Sequence, residues 1–235
     1  MSNIVKIYHD YFSPAGRMVI SICEAAHIPY AIEVINIAKG DHHDPEFRKI
    51  NPEGTVPVLV DGKKIITEPR AIIYYLCSTK KMPEGFYPKD QLKKKAKIDA
   101  WVQWNQESLR RGKMLLIGYT FGKVLNMEIP QAVLKIEEIL LKRNLSYLDR
   151  VLQKRRYLMG DEITLADHAV VNNITNLQLI NYDVTKFASV NRYVNDMMKD
   201  QHVKASHKIF KDLVYKFRSR GLGFDHQASL MANLQ

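Results

Sequence analysis

Two hydroxyl side chains, Tyr11 and Ser13, lie between a predicted strand over residues 4–8 and a predicted helix over residues 15–27. A hydroxyl at the start of a helix can donate a hydrogen bond to an anion, and the helix dipole stabilises negative charge at the same place. Structural roles would also explain both residues, Ser13 as the helix N-cap and Tyr11 as an aromatic cover at the strand end. The residues alone leave an anion-binding role and a structural role open for both hydroxyls.

The cysteine and histidine side chains exclude two kinds of chemistry. The two cysteines, Cys23 and Cys77, are isolated in apolar segments, and neither lies in the loop after the first strand. This placement excludes thiol–disulfide exchange and favours reduced thiols packed in the core of a cytoplasmic protein. His42 and His43 are adjacent but have no carboxylates at helical spacing, so we expect no metal site.

These groups must be positioned by a fold that alternates strands and helices in its first part. Residues 4–8, 15–27 and 30–35 predict a parallel β-α-β unit. A short helix over 44–50 follows, and then Asp61-Gly62 indicates a hairpin between strands. With a closing helix, the order is βαβ-α-ββ-α, which is a thioredoxin-like α/β order; the last three elements cover residues 57–60, 64–67 and 71–77.

The remainder of the chain is dominated by helical periodicity. We predict a thioredoxin-like α/β domain over residues 1–80, a linker over 81–91, an all-α domain over 92–220 and a tail over 221–235. Thr164 and Asp167 have capping-box spacing at the start of a buried helix, to which we assign a structural role. The predicted helices cover residues 92–119, 130–152, 164–179, 186–198 and 203–217.

Charge is distributed unevenly between these parts. The formal net charge is +10, yet residues 1–90 hold equal numbers of basic and acidic side chains, so all of the excess lies beyond them. The basic runs at 93–97 and 154–156 have no interleaved aromatic residues and no zinc-ligand spacing, so nucleic acid is not an expected partner. No apolar run approaches the roughly 18 residues of a membrane span, and we expect a cytoplasmic protein that does not enter membranes.

Three loops carry a resemblance to a known family. Residues 11–17 (YFSPAGR) resemble the first strand-to-helix loop of the cytosolic glutathione transferases, residues 51–57 (NPEGTVP) resemble the family's cis-proline loop, and residues 68–72 (EPRAI) resemble its glutathione-binding turn. The sequence is most similar to the theta class, since residues 39–42 (KGDH) resemble the theta K-G-Q-H and residues 104–111 resemble its fourth helix. The resemblance covers residues 4–217 and implies the glutathione transferase fold.

The resemblance implies a chemistry for the two hydroxyls. A thiol with an ordinary pKa of about 8.5 is a weak nucleophile at neutral pH until it ionises. Ser13 stands four residues before Arg17, the spacing of the theta-class serine, while Tyr11 stands six before it, as in the tyrosine classes. We favour Ser13 as the group that stabilises the thiolate, with Tyr11 as the alternative, and expect Arg17 to form an ion pair or to support the site.

Glutathione binding is implied for five further positions. Val56, before an expected cis Pro57, would pair its backbone with the tripeptide. Glu68 would bind the γ-glutamyl ammonium, His42 would approach the glycyl carboxylate together with Lys39 or His43, and Arg110 would lie beside the tripeptide.

Pro69 departs from the family pattern. It replaces a Ser or Thr that would hold the γ-glutamyl carboxylate, and proline supplies neither a hydroxyl nor an N–H. Loss of such donors corresponds to about 1.5–3 kcal/mol, so we expect weakened glutathione binding unless Arg70 substitutes.

The resemblance as a whole implies a homodimeric detoxification enzyme that joins glutathione, as co-substrate, to a small hydrophobic or halogenated electrophile without a cofactor. The alternative is a catalytically weak interaction module on the same fold, which Pro69 and the basic surface favour.

Overall fold

The first part of the molecule is a four-stranded mixed sheet with helices on its faces. In the computed structural model, which describes residues 4–122 and 127–219, strands follow the order β2-β1-β3-β4. β1 and β2 are parallel with Val5 opposite Tyr30, whereas β3 is antiparallel to both β1 and β4. The strands are β1 (Val5–His9), β2 (Tyr30–Val34), β3 (Val58–Asp61) and β4 (Lys64–Ile66).

Three helices complete this unit in the predicted order. They are α1 (Pro14–Ala25), α2 (Pro45–Ile50) and α3 (Pro69–Thr79). Each begins with proline at its first turn, where a missing N–H costs no intrahelical hydrogen bond. The hairpin is confirmed, and Gly62 adopts a φ of 62° in its turn, a conformation that glycine reaches without steric cost.

The second part is helical, as predicted. Its α-helices are α4 (Leu92–Trp104), α5 (Gly112–Leu116), α6 (Gln131–Leu152), α7 (Leu165–Asn176), α8 (Ala188–Met197) and α9 (Gln201–Ser219). Short 3₁₀ turns over Leu177–Ile180 and Val184–Lys186 precede α8. A thioredoxin-like unit followed by a helical unit is the arrangement that the sequence resemblance implies.

The prediction of one continuous helix over residues 92–119 is wrong in detail. Two π-helical segments, Asn105–Leu109 and Ile117–Phe121, flank α5. At the first segment a backbone hydrogen bond spans five residues instead of four: the Arg110 N–H donates to the Asn105 carbonyl at 3.2 Å. Such π-helical turns often occur at functional sites.

A continuous apolar core joins the two units. Helix α1 packs against α3 on one side and against α7 and α9 on the other. Cys23 and Cys77 are fully buried in this core, and burial raises the pKa of each thiol to about 12, so neither is a reactive thiolate near neutral pH.

The segment between the units is anchored. Residues 81–91 hold no helix or strand, but Phe86 and Tyr87 are buried, and the Tyr87 hydroxyl donates to Asp99 Oδ1 at 2.7 Å.

The capping box at the start of α7 is confirmed. Asp167 Oδ2 accepts from the Thr164 N–H at 2.8 Å. Its Oδ1 accepts from the Leu158 N–H at 2.9 Å, so this side chain also holds the preceding loop.

Three further findings bear on the sequence predictions. The tail predicted over residues 221–235 lies outside the described residues. No described helix is long and apolar enough to cross a membrane. Within the described ranges, no three His, Cys, Asp or Glu side chains are grouped as metal ligands.

Candidate functional site

A cavity of about 400 Å³ lies between the two units. One wall comes from the thioredoxin-like unit and the other from α5, α7 and the two π-helical segments. Six of the eight predicted site residues lie at this cavity or line it: Ser13, Val56, Pro57, Glu68, Pro69 and Arg110. The structure therefore brings together residues that are separated by nearly 100 positions in the chain.

Ser13 lies at the cavity as the N-cap of α1. Its Oγ accepts a hydrogen bond from the Gly16 N–H at 3.3 Å, a long bond that uses the oxygen as an acceptor. The hydroxyl proton has no acceptor among the described residues, so it is free to be donated. The first turn of α1 adds favourable potential for an anion at this point.

Asp10 fixes the loop that carries Ser13. Its Oδ1 accepts from the Phe12 N–H at 2.7 Å, and its Oδ2 accepts from the Ile37 N–H at 2.9 Å. Burial raises the pKa of this carboxyl above its ordinary value, although the two backbone donors oppose the shift. The loop is thus held to the first unit by a buried side chain that the sequence did not single out.

Tyr11 has a different environment from Ser13 and is not among the residues that line the cavity. Its half-buried ring packs edge-on against His9, with ring centroids 4.9 Å apart. Burial raises the pKa of the Tyr11 hydroxyl, which makes the phenolate less accessible at neutral pH. The placement matches the structural role considered for Tyr11, that of an aromatic cover at the end of β1.

Arg17 is fully buried and connects the two units. It donates to the Tyr11 carbonyl at 2.7 Å, to the Asn172 carbonyl at 3.2 Å and to Asn176 Oδ1 at 2.7 Å. Its guanidinium also lies over the Phe210 ring, 3.7 Å from the centroid. The expected ion pair is replaced by neutral acceptors, and burial lowers the pKa of Arg17 to about 9. Arg17 supports the Ser13 loop by holding its backbone against α7.

The predicted glutathione-binding turns have distinctive backbone geometry. The Val56–Pro57 peptide bond is cis, as expected. Glu68 adopts a φ of 64°, an uncommon conformation for a residue with a side chain, immediately before α3. Pro69 occupies the first turn of α3 and also lines the cavity, so the position that lacks donors faces the site.

Arg70 does not replace those donors in this structure. Its guanidinium donates to Gln103 Oε1 on α4 and lies 5.7 Å from the centroid of the Tyr74 ring. Arg70 is not among the residues that line the cavity.

His42 lies in a 3₁₀ turn outside the cavity lining. Its ring packs against His43 at a centroid distance of 3.9 Å. Burial, followed by the charges of His43 and Arg48, lowers the pKa of His42 and favours the neutral ring. Ile37 and Ala38, a few residues earlier, do line the cavity.

Arg110 and Lys113 are two cationic side chains in the opposite wall. Neither has a carboxylate partner within 4 Å in the described ranges, whereas the neighbouring Arg111 pairs with Glu137 at 3.2 Å. Desolvation, followed by the charge of Arg110, lowers the pKa of Lys113.

Several cavity residues were not identified from the sequence. They include three residues with amide side chains and two aromatic residues, namely Asn105, Asn173, Asn176, Phe12 and Phe121. The two rings pack edge-on at 5.4 Å. The signal that would have located Asn173 and Asn176 is the presence of Asn residues among the apolar residues of α7.

Comparisons with known proteins agree with the resemblance seen in the sequence. Residues 7–84 match the family model described as "Glutathione S-transferase, N-terminal domain", and residues 128–208 match the corresponding C-terminal domain. Glutathione S-transferase T1 of Arabidopsis thaliana is 31% identical over 232 residues, covering 92% of this chain and 93% of that protein. Mouse glutathione S-transferase theta-1 is 29% identical, covering 73% of this chain and 72% of the mouse protein.

Solved structures show the same fold. Human glutathione S-transferase T1-1 in its apo form superposes with a TM-score of 0.78 at 25% identity, over 87% of this chain and 88% of that chain. Glutathione transferase F2 from Populus trichocarpa gives a TM-score of 0.77 at 28% identity, over 88% of this chain and 99% of that chain.

Proposed function

The chain belongs to the glutathione S-transferase family, with theta-class proteins among its relatives, and we propose that it conjugates glutathione to small electrophiles with Ser13 stabilising the thiolate. The observation that carries this proposal is the position of Ser13, at the N-terminus of α1 and at the cavity, with a hydroxyl proton that is not otherwise used.

In this proposal, the Ser13 hydroxyl stabilises the thiolate form of glutathione. A hydrogen bond from the Ser13 hydroxyl to the sulfur anion contributes about 1.5–3 kcal/mol, which lowers the thiol pKa by roughly one to two units. That shift converts a mostly protonated thiol into a mixture rich in thiolate near pH 7. Tyr11 is the weaker candidate because its ring lies outside the cavity lining.

The tripeptide would lie along the wall formed by the thioredoxin-like unit. The Val56 N–H and C=O, preceding the cis Pro57, would pair with the peptide backbone as an added strand. Glu68 would bind the γ-glutamyl ammonium by charge. His42, with Lys39 or His43, would approach the glycyl carboxylate beyond Ile37 and Ala38, and Arg110 would border the tripeptide.

The electrophile would lie against the helical wall, where Phe12, Leu109, Leu116 and Phe121 provide an apolar surface. A small hydrophobic or halogenated molecule fits this chemistry. Arg110 and Lys113 would stabilise a departing halide or another anionic leaving group. No cofactor is required, because the sulfur of glutathione is itself the nucleophile.

Three properties carried by the family resemblance complete the proposal. They are a homodimer, a cytoplasmic location and a role in detoxification. The dimer is checked by the sedimentation velocity of the purified chain, in which a monomeric mass at micromolar concentration would contradict it.

Calorimetric titration with glutathione, combined with turnover of a primary alkyl halide, tests the function. We expect saturable binding and glutathione-dependent release of halide above the uncatalysed rate. Pro69 lacks the expected donors and Arg70 is bonded to Gln103 instead, which favours weak binding, so the titration should extend to millimolar glutathione. Absence of both binding and turnover would support the alternative of an interaction module on this fold.

A further inference from the structure

The outer face of α9 carries positive charge that the proposed reaction does not use. The helix has one carboxylate, Asp212, and a larger set of lysine and arginine side chains, all of them exposed. These cations are Lys204, Lys208, Lys211, Lys216 and Arg218. None of them lines the cavity between the two units.

Helical spacing places three of the lysines in one line. Lys204, Lys208 and Lys211 follow one another at intervals of four and three residues, which lie on the same side of a helix. Tyr215, four residues further along, continues this line and is 75% exposed. With a rise of about 1.5 Å per residue the line is about 16 Å long. We call these four residues the α9 row.

Packing of the opposite face fixes the direction of the α9 row. The helix packs against α1, and its inner side chains are buried. Those side chains are Val203, Ser206, His207, Phe210 and Val214. Rotation of the helix about its axis would expose them and bring lysines into the core, so the row stays directed outward.

The lysines of the α9 row are not neutralised by neighbouring carboxylates. Within the residues that the structure describes, no Asp or Glu oxygen lies within 4 Å of Lys204, Lys208 or Lys211. Just before α9, by contrast, Lys199 pairs with Asp196 at 3.1 Å. Unpaired cations on one face create a positive potential that attracts an anionic surface.

The residue types in the row favour a lipid surface over a ligand of fixed geometry. Lysine is a hydrated point charge on a flexible stem, whereas arginine is the side chain that binds phosphates and base edges in a defined geometry. Tyrosine is enriched where a bilayer meets water. Lysines in line with an exposed tyrosine therefore suit many phosphate groups spread over a plane.

We propose that the α9 row docks the protein reversibly on membranes that contain anionic phospholipid. The lysines contact lipid headgroups and Tyr215 lies at the interface, so α9 keeps its packing against α1 while the protein is bound. This surface is separate from the cavity, and the proposal does not depend on the transferase function.

Cosedimentation of the full-length chain with vesicles tests the proposal. The vesicles contain phosphatidylcholine and phosphatidylserine in a ratio of about two to one, in about 0.1 M salt. A lysine near such a surface increases partitioning about fivefold, so three together give about a hundredfold. We expect binding at millimolar lipid that is absent with pure phosphatidylcholine and is lost at about 1 M salt, where charges are screened within about 3 Å.

The test variant combines Lys204→Gln, Lys208→Gln and Lys211→Gln in one chain. All three positions are exposed, so the fold should be unaffected, and circular dichroism with a thermal melt checks this. We expect partitioning onto the anionic vesicles to fall about a hundredfold. Unchanged binding in this variant would overturn the proposal.

A matched control removes the same charge from α4. It combines Lys93→Gln, Lys94→Gln and Lys97→Gln, whose lysines also have no carboxylate oxygen within 4 Å in the described ranges. Partitioning should stay within about threefold of the wild-type chain, because these lysines lie outside the docking face. An equal loss in both variants would overturn the role of the α9 row, since net charge alone would then account for binding.

Two further measurements separate lipid from other polyanions. Tyr215→Ser should weaken vesicle binding about threefold, because it removes the interfacial ring; unchanged binding would contradict its contact with lipid. A DNA duplex of about 20 base pairs serves as the competing probe. Tighter binding to this duplex than to the vesicles, lost in the α9 variant, would overturn the assignment to lipid and identify nucleic acid as the partner.

Discussion

The two walls of the cavity are built in different ways. In the thioredoxin-like wall, Ser13, Val56 and Glu68 are each positioned by a local backbone event: a helix start, a cis peptide bond and a positive φ. In the helical wall, Asn105 and Asn173 are 68 residues apart and meet only because α7 packs against the π-helical segment.

Under the function proposed above, the two kinds of positioning fall to two different substrates. The groups fixed by short motifs lie in the wall assigned to the tripeptide, and the groups fixed by helix packing lie in the wall assigned to the electrophile. Arg17 connects the two walls through bonds to the Tyr11 carbonyl and to Asn176.

The largest expected effect is in the thioredoxin-like wall. Ser13→Ala should lower turnover at pH 7 about eight- to twenty-five-fold, because loss of a hydrogen bond to the anion of about 1.5–3 kcal/mol returns the thiol pKa to about 8.5 and lowers the thiolate fraction. The pH–rate profile should shift upward by roughly one to two units, and the deficit should disappear where the thiol ionises unaided. Thiolate absorbance of bound glutathione measures the same shift directly.

Two further variants distinguish Ser13 from Tyr11 as the donor to the thiolate. Ser13→Thr retains the hydroxyl and should recover most of the activity, and Tyr11→Phe should remain within about twofold of the parent. If Tyr11→Phe abolished turnover while Ser13→Ala did not, the donor would be Tyr11, and the local motif would have been assigned to the wrong hydroxyl.

A smaller effect, in the opposite direction, is expected at Pro69. Pro69→Ser supplies a hydroxyl and an N–H at the first turn of α3, and it should tighten glutathione binding about tenfold by calorimetry. Pro69→Ala restores the N–H alone and should give an intermediate gain. Unchanged affinity in both variants would show that other groups already hold the γ-glutamyl carboxylate.

The effect expected to touch catalysis least is the dependence of the free energy of unfolding on pH. Burial lowers the pKa of His9 and His207 to about 3, and that of His168 to about 4, well below the ordinary value of 6.5. Between these values the unfolded chain binds protons that the folded chain does not, so the free energy of unfolding should fall as pH drops from 6.5 toward 4. Above pH 7 these histidines should contribute no slope.

Asp167 opposes this trend. Burial raises its pKa to about 6, so between its ordinary value of 3.8 and that pH the folded chain binds the extra proton. The three histidines outnumber it, and chemical denaturation should show net destabilisation at pH 5 relative to pH 7. Stability that is constant or rises toward acid would contradict the burial of these histidines in the neutral form.

The sequence predicted the short-range features with good accuracy. The hairpin at Gly62 and the capping box at Thr164 depend on a few neighbouring residues, and both are present. The cis bond before Pro57 was expected from the family resemblance, and it is also present. Helix boundaries shifted by one to three residues, since end turns depend on local capping. Beginning α3 at Pro69 rather than at residue 71 is one such case.

Errors arose where packing decides the outcome. The π-helical turns at Asn105 and Ile117 interrupt an apolar pattern that reads as one uniform helix. The apolar side chains of Ile136 and Ile139 on α6 are 56% and 66% exposed, so apolar character alone does not identify the buried face of this helix. Packing against neighbouring elements decides which side of a helix is buried. The residues of the helix alone do not specify those neighbours.

By itself, then, the sequence determined the order of elements, the helix start at Ser13 and the loss of donors at Pro69, because each is a property of adjacent residues. Only the tertiary structure decided that Ser13 lies at the cavity while Tyr11 does not, that Arg17 is held by neutral oxygens, and that Asn105 has one unsatisfied amide end. The reason is that burial and hydrogen-bond partners come from residues distant in the chain, which local patterns do not encode.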